Sequence, residues 1–381
     1  MKKKIVLIYV EALYMNYHRN AFLNSLIKNS KNWYKFNLSE TFQDPLKQKN
    51  IIDLSKSADV LVVDTSVFSI AYKKIFNDAT FYSNSFKPPP DYFDFIQTLM
   101  NISTPRVWLS YLDLHGDFNS LGVKVSDFQA ITSYYYPNRF TPKSEIDLNF
   151  HDSWMDNYRT PEEGYNELLK IPVQIEMPFC LDYSEFKIYK PLKLWQLSIP
   201  GADYSRRLIA RKNYNKSSNF RFDYLPRLIR KISSINYRLT KFKLPIKWSI
   251  NFGRNFHHKL LSLSNAVYTD GSAYNYPVRK FFEIPAQRSL LLCTPYPGMK
   301  DRGYIDGKTH LVVDPNEINN FIKNINFKSK SINEIIENGY QTTLNSHNSD
   351  VRAKQIILAI EKFASGKLKS AIYFEGEYCY L

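Results

Sequence analysis

The strongest constraint in this chain is the alternation of short apolar runs with longer amphipathic stretches. The run at 58–66 is a continuous Val/Leu stretch that ends in Asp and Thr, which is typical of a strand buried in a parallel sheet, and three other short runs are also read as strands. The four runs span residues 4–10, 58–66, 106–114 and 128–136. Stretches such as 17–29 and 91–102 place their apolar residues at helical spacing. Strands that alternate with helices in this way predict a parallel sheet with crossover helices.

The same pattern restarts in the second half, after a last strand of the first unit at 171–179. Residues 192–212 predict a strand, a tight turn at Pro200-Gly201 and a helix. At 381 residues, two domains of ordinary size are expected. We therefore predict an α/β fold of two Rossmann-like domains with a cleft between them. A final helix at 348–367 is expected to close the second domain.

This prediction sets the boundaries of the domains. The ranges are 1–180 for the first domain, on the acceptor side; 181–191 for a linker; 192–365 for the second domain, on the donor side; and 366–381 for a C-terminal tail.

Positive charge is concentrated in one segment. The formal net charge is +15, and residues 206–259 contain fifteen Lys and Arg against a single acid, Asp223. Within this segment, residues 225–242 predict a helix with an apolar stripe and basic flanks. Such a helix can lie on an anionic membrane surface, or it can pack its stripe on the core and leave the basic side in water. No nucleic-acid-binding signature accompanies the charge, so nucleic acid is not an expected partner.

The compartment and the metal content also follow from residue patterns. The three cysteines fit no metal-binding spacing and cannot all pair, which indicates a reducing compartment. The basic start and the short apolar run after it are read as a first strand, and no run is long enough to span a membrane. We expect a cytoplasmic protein that is compatible with peripheral attachment to the inner face of the cell membrane. The histidines are scattered, and His257 and His258 are expected to be too close in sequence to share a helical face, so no metal site is predicted.

Residues 264–322 carry the most informative group of polar side chains. In the turn at 269–272, Gly271 and Ser272 can offer a backbone N–H and a hydroxyl to phosphate oxygens. A helix is predicted to open after Pro277, with Arg279 and Lys280 in its first turns as further phosphate ligands. Glu283 lies further along and can accept hydrogen bonds from ribose or sugar hydroxyls.

This stretch resembles the C-terminal half of GT-B glycosyltransferases, in particular the CgeB-like branch of the group 1 glycosyl transferases. The shared features are Arg279, Glu283 and Ala286, a Leu-rich strand at 289–293 and the turn at 303–307. Residues 198–207, with Gly201 and Arg206, resemble the opening of the family's second domain. The resemblance covers roughly residues 172–365 and implies a nucleotide-sugar donor in the second domain, with no other cofactor.

The sequence departs from that family at two places. Many retaining members carry two glutamates separated by seven residues, and the second position counted from Glu283 is Leu291. The glycine that usually follows Ala286 is replaced by Gln287 and Arg288. These departures leave the nucleotide and the sugar open.

Candidates for catalysis come from the carboxyl ends of the strands, which face the cleft in such sheets. Glu11, Asp113 and His115 follow predicted strands, and the last two could form a base with its orienting carboxylate. Asp64 also ends a strand. Asp203, after the Pro200-Gly201 turn, could act as a nucleophile or could cap a helix.

The resulting prediction is a metal-independent glycosyltransferase of bacterial surface polysaccharide biosynthesis, lipopolysaccharide included. It would move a sugar from a nucleotide-sugar donor to a glycan or lipid-linked acceptor. Three alternatives stay open: a Kdo-type transferase that uses a CMP-sugar, a nucleotide-sugar epimerase or related GT-B enzyme, and a non-catalytic scaffold that binds a glycan or a membrane.

Overall fold

The computed structural model of the chain describes most of the sequence. The described residues are 3–10, 17–71, 91–110, 124–134, 161–201, 205–214, 228, 232, 244–271 and 275–381.

Strands from the first half of the chain build a parallel sheet. They are Ile5–Tyr9 (β1), Tyr34–Asn37 (β2), Val60–Asp64 (β3), Arg106–Leu109 (β4), Ala130–Ser133 (β5) and Val173–Glu176 (β6). Their order is β6-β5-β4-β3-β1-β2, and each neighbouring pair is parallel. β1, β3 and β4 are almost entirely buried, which is why their sequences are continuously apolar.

Helices separate these strands, as the apolar spacing predicts. They are Tyr17–Asn29 (α1), Leu38–Thr41 (α2), Pro45–Lys56 (α3), Thr65–Ala71 (α4), Tyr92–Met100 (α5) and Pro161–Leu168 (α6). The start of α3 shows the local reason for a helix. Asp44 accepts hydrogen bonds from the amides of Leu46 and Lys47, and Pro45 occupies the first turn, where no amide donor is needed.

The second half of the chain forms a second, four-stranded parallel sheet. Its strands are Trp195–Ser198 (β7), Ser264–Thr269 (β8), Leu290–Cys293 (β9) and Leu311–Val312 (β10), in the order β10-β9-β8-β7. The helices of this half are Ser205–Asn213 (α7), Leu244–Leu263 (α8), Lys280–Ala286 (α9), Ile318–Asn324 (α10) and Lys330–Ser346 (α11). Two α/β units in series are therefore confirmed.

The last helix, Ser349–Ala364 (α12), does not close the second domain as expected. It packs along α1, and its residues Ala353, Ile356 and Ile360 join the apolar core of the first sheet. Backbone pairing directs it there, because the Ser349 amide donates to the Leu181 carbonyl at 2.8 Å. The sequence-based placement of this helix is corrected, since periodicity shows that a helix has an apolar face but not which surface covers it.

The segment expected to be a tail, residues 366–381, forms a hairpin that extends the first sheet. Its strands are Ser370–Phe374 (β11) and Glu377–Tyr380 (β12); β11 pairs parallel with β6, and β12 pairs antiparallel with β11. The two-residue turn between them holds Glu375 at φ 48° and Gly376 at φ 89°. Two consecutive left-handed residues are the turn geometry that matches the twist of a tight hairpin.

Little of the predicted basic helix at 225–242 lies inside the described residues. Leu228 and Ile232 are described, and both are helical and exposed. Among the helices that the structure describes, none combines the length and the apolar character needed to cross a membrane.

Candidate functional site

The turn after β7 is surrounded by basic side chains. Arg211 of α7 donates to the carbonyl oxygens of Ile199 and Gly201, at 2.6 Å from Nη2 in each case. Gly201 has φ +104°, and a Cβ built there would lie 2.6 Å from Lys280 Nζ and 2.7 Å from Arg207 Nη1. The backbone angle favours glycine, and the absence of a side chain lets two cations lie against the turn.

Asp270, immediately after β8, holds one of these cations in place. It is fully buried; its Oδ2 accepts from the Arg207 amide at 3.0 Å, and its Oδ1 accepts from the guanidinium Nε at 3.1 Å. A charge-assisted, multiply bonded pair of this kind fixes both groups. Asp270 therefore orients Arg207 and the first turn of α7 at the carboxyl edge of the second sheet.

Arg206 is arranged differently from its neighbour. Its Nη1 atom is buried and has no hydrogen-bond partner within the described part of the chain. The guanidinium is close enough to act electrostatically on the Tyr268 hydroxyl, which pairs with the Thr294 hydroxyl at 2.9 Å. A buried cationic donor without an acceptor is costly, so this position is suited to an anionic ligand.

Gly271 closes the turn that follows β8. A Cβ there would lie 2.6 Å from the carbonyl carbon of Asn275 and 2.7 Å from the Tyr276 nitrogen. The Gly271 carbonyl accepts from that Tyr276 amide at 2.9 Å. The chain turns back on itself so closely here that no side chain fits at Gly271.

Glu283 of α9 lies in a buried cluster of charged and titratable groups. Arg279, one helical turn earlier, donates to Glu283 through Nη1 and to Glu185 through Nη2. His257 Nε2 lies 3.4 Å from a Glu283 oxygen, and His258 Nε2 lies 3.3 Å from Glu185 and 3.6 Å from Glu283. Although His257 and His258 are adjacent in sequence on α8, both approach the Glu283 carboxylate.

The cluster keeps Glu283 ionised. Burial alone would raise the pKa of Glu283, but the charge of Arg279 and the neighbouring imidazoles of His257 and His258 outweigh burial and hold the pKa well below its usual value. An ionised carboxylate is a strong acceptor for hydroxyl groups. Arg279, with both terminal nitrogens on carboxylates, supports Glu283 and is not placed as a phosphate ligand.

The same cluster has the residue types of a metal site. Ligand atoms of Glu185, His258 and Glu283 lie within 4.8 Å of one another. The Arg279 guanidinium already bonds to both carboxylates and supplies the positive charge that a cation would bring. The arrangement is that of a compensated ion-pair cluster, and the absence of a metal requirement stays a prediction.

The structure brings together part of the predicted site. Gly201 and Lys280 are adjacent at one turn, Arg279 and Glu283 are bonded to each other, and Arg206 lies on the same helix as Arg207 and Arg211. Five predicted residues lie outside the described residues: Glu11, Asp113, His115, Asp203 and Ser272.

Asp64 is described and is not available as a base. It is fully buried, is ion-paired with Arg19 and accepts from the Ser66 amide at 2.9 Å. Sequence reasoning missed Glu185, His257 and His258, whose roles depend on contacts between distant segments. Two cavities of about 510 and 460 Å³ lie elsewhere, beside β10 and beside α11, and none of the predicted site residues lines them.

Comparison with known proteins establishes the fold. No protein-family profile and no curated protein matches the sequence. Among solved structures, HepE from Anabaena in complex with UDP-glucose is 9% identical, with a TM-score of 0.50 over 94% of this chain and 100% of that one. The complex of HepE with UDP gives 8% identity with the same TM-score and coverage. The chain has the GT-B fold, with two Rossmann-like domains.

Proposed function

We propose that this protein is a glycosyltransferase that binds a nucleotide sugar at the carboxyl ends of β7 and β8. The observation that carries the proposal is the cation cluster around the Gly201 turn, balanced among the described residues by one carboxylate, Asp270. Arg207, Arg211 and Lys280 lie against this turn, and Arg206 precedes Arg207 on α7, near the Tyr268 hydroxyl. Open α/β sheets bind ligands outside the carboxyl ends of their strands, and a positive site there suits the diphosphate of a nucleotide sugar.

The roles of the site residues follow from their surroundings. Arg206 and Lys280 would contact the phosphates, and the glycines at 201 and 271 would let the backbone approach them. Positive charge at the phosphate stabilises the leaving group as the glycosidic bond to the donor breaks. Glu283 would accept the ribose or sugar hydroxyls, because its carboxylate stays charged. Asp113, His115, Glu11 and Asp203 remain the candidates for the acid, base or nucleophile.

The donor, the acceptor and the cellular setting are finer parts of the same proposal. HepE binds UDP and UDP-glucose, which makes UDP-sugars the first donors to test. The acceptor would be a glycan or lipid-linked glycan of a bacterial surface polysaccharide. Basic side chains around the phosphates would take the place of a divalent ion. A cytoplasmic enzyme could approach a lipid-linked acceptor through the exposed Leu228 and Ile232 of the basic segment.

Calorimetric titration of the full chain with UDP-, GDP-, dTDP- and CMP-sugars, each with and without EDTA, tests the proposal. We expect one nucleotide class to bind equally well with EDTA. The Arg206→Ala variant should weaken that binding about tenfold or more, as expected for a lost charge-assisted contact. Lys212→Ala is the matched control, since Lys212 is an exposed residue of the same helix.

Each outcome discriminates between the alternatives. Binding of CMP-sugars alone would favour the Kdo-type transferase. Binding without transfer to any acceptor would favour the scaffold, and conversion of the sugar without an acceptor would favour the epimerase. The donor site is wrongly placed if no nucleotide sugar binds, or if Arg206→Ala binds as tightly as Lys212→Ala.

A further inference from the structure

Residues 187–194, which connect the two sheets, hold large apolar side chains in water. We call this segment the strap. Ile188 is 75% exposed, Tyr189 83%, Leu192 74% and Leu194 59%. Single exposed apolar residues are ordinary, but four within eight residues form a concentrated apolar surface.

The strap is fixed to the second domain at both ends. The Lys187 amide donates to the Ala286 carbonyl at 3.0 Å, and Arg288 Nε donates to the Lys187 carbonyl at 2.9 Å. At the other end, the Leu194 amide donates to the Leu263 carbonyl at 2.7 Å. These bonds hold the backbone in one path, so the outward direction of the apolar side chains is a property of the folded domain.

Lys193 strengthens the second anchor and points inward. Its Nζ donates to the carbonyls of Arg288 at 2.7 Å and Ser262 at 3.0 Å, and to the Ser289 hydroxyl at 2.8 Å. All three protons of the ammonium have an acceptor, so this lysine belongs to the structure of the domain.

The outward charge of the strap is positive. Lys187 and Lys190 are exposed, and residues 187–194 contain no acid. The acidic side chain that acts on Lys190 is Glu337, and its carboxylate is ion-paired with Arg288. The exposed Lys187 and Lys190 thus stand among the exposed apolar residues Ile188, Tyr189 and Leu192.

We propose that the strap docks on an anionic lipid surface. Its apolar side chains would enter the boundary between headgroups and acyl chains, and Lys187 and Lys190 would reach the lipid phosphates. A protein partner fits the composition less well, because the centres of protein interfaces are depleted in lysine. Membrane interfaces favour tyrosine and lysine, whose apolar bodies lie in the bilayer while their polar ends stay in water. This proposal goes beyond the donor site and is independent of the segment at 225–242.

Sedimentation of the full chain with lipid vesicles tests the proposal. We would compare phosphatidylcholine vesicles with vesicles that also contain phosphatidylglycerol. Wild type should bind the anionic vesicles. Two double variants, Ile188→Ser/Leu192→Ser and Lys187→Glu/Lys190→Glu, should each bind these vesicles about tenfold less. Leu46→Ser is the matched control, because Leu46 of α3 is 79% exposed and should change nothing.

Nucleotide-sugar titration of the same variants separates the two proposals. Wild-type affinity in the strap variants shows that the donor site is intact, whatever happens to lipid binding. Equal binding to neutral vesicles, or anionic-vesicle binding that survives both pairs of substitutions, would overturn the proposal. So would ultracentrifugation that shows a wild-type dimer and a monomeric Ile188→Ser/Leu192→Ser variant, since the strap would then cover a second copy of the chain.

Discussion

Glu176, at the end of β6, and Arg302, in the loop after β9, form a buried ion pair that joins the two sheets. Arg302 donates to Glu176 Oε1 from Nε at 2.8 Å, and its Nη2 donates to the Tyr134 carbonyl at 3.0 Å. The other oxygen of Glu176 accepts from the Tyr373 amide at 2.8 Å. One carboxylate therefore connects β6, the C-terminal hairpin and the second domain.

Replacement of Glu176 should be strongly destabilising. Glu176→Gln leaves the Arg302 charge buried without its counterion, and loss of one partner from a buried pair costs about 3 kcal/mol or more. Glu337→Gln is the control, because it removes a partly exposed partner from Arg288 and should cost less than about 1 kcal/mol. Urea unfolding of both variants measures the difference. Similar losses in the two variants would show that the inter-sheet pair is not a strong contact.

His347, between α11 and α12, contacts the same loop. Its Nδ1 lies 2.9 Å from Arg352 Nη2, and its Nε2 lies 2.9 Å from the Arg302 carbonyl. Arginine can only donate, so Nδ1 accepts and the proton is on Nε2. Burial, followed by the charges of Arg352 and Arg302, lowers the pKa of His347 well below its usual value.

This neutral histidine should make folding sensitive to mild acid. In the unfolded chain His347 takes up a proton near pH 6.5, whereas in the folded chain it stays neutral at that pH. The free energy of unfolding therefore has its full value above pH 6.5 and falls as the pH drops below it. The slope for one such group is roughly 1.4 kcal/mol per pH unit. His310, whose pKa burial lowers to about 4 against the opposing charge of Asp306, adds a contribution of the same sign.

Substitution of His347 tests this dependence. His347→Gln can keep one hydrogen bond and cannot be protonated, so the difference in stability between wild type and variant should shrink steadily from pH 6.5 to pH 5. Thermal unfolding at several pH values measures it. A difference that stays constant over this range would mean that His347 does not resist protonation.

Arg279 should act as a positioning residue for Glu283. Arg279→Met removes the cation that lowers the pKa of Glu283, so that pKa should rise. If Glu283 must be ionised to bind the donor, the acid limb of nucleotide-sugar affinity should move to higher pH. Arg279→Lys restores the charge but cannot bond to two carboxylates at once, so it should restore the pH profile with only part of the affinity. Calorimetry against pH measures both quantities; identical profiles for wild type and Arg279→Met would remove Arg279 from this role.

The glycine at 271 should be irreplaceable for steric reasons. Gly271→Ala places a Cβ against the Asn275 backbone, and overpacking of this kind costs about 1–3 kcal/mol. Gly307→Ala is the control: Gly307 has φ +73° with open space around it, so only the backbone angle opposes the substitution, at about 1 kcal/mol. Urea unfolding should show a larger loss of stability for Gly271→Ala than for Gly307→Ala. Donor titration should show a loss of affinity only for Gly271→Ala. Equal behaviour of the two variants would mean that the turn at 271 can relax.

The strands were predictable where burial forces a continuous apolar sequence. The run at 58–66 contains β3, and the helical spacing at 17–29 coincides with α1. The long helices α8 and α11 were missed. The hairpin at 370–380 was also missed, although Glu375-Gly376 between alternating residues is a local turn signal that sequence reasoning can use.

The site was predictable only in its local parts. Gly201, Gly271 and Lys280 stand in short motifs whose chemistry is readable from neighbouring residues. Glu185 is 94 residues from Arg279 in sequence, and no local pattern predicts that the Arg279 guanidinium bonds to both Glu185 and Glu283. The fold decides such contacts, because it places the 3₁₀ turn Tyr183–Glu185 beside the start of α9.

The C-terminal crossover has a consequence for the order in which the molecule can be made. The first sheet receives β11 and β12, and its core receives α12, from residues that follow β10 and α11 in sequence. The second domain has all of its strands by residue 312 and its last helix by residue 346. During synthesis, the first sheet is thus completed after β10 and α11 of the second domain have emerged, and until then α1 and β6 expose the surfaces that α12 and β11 later cover.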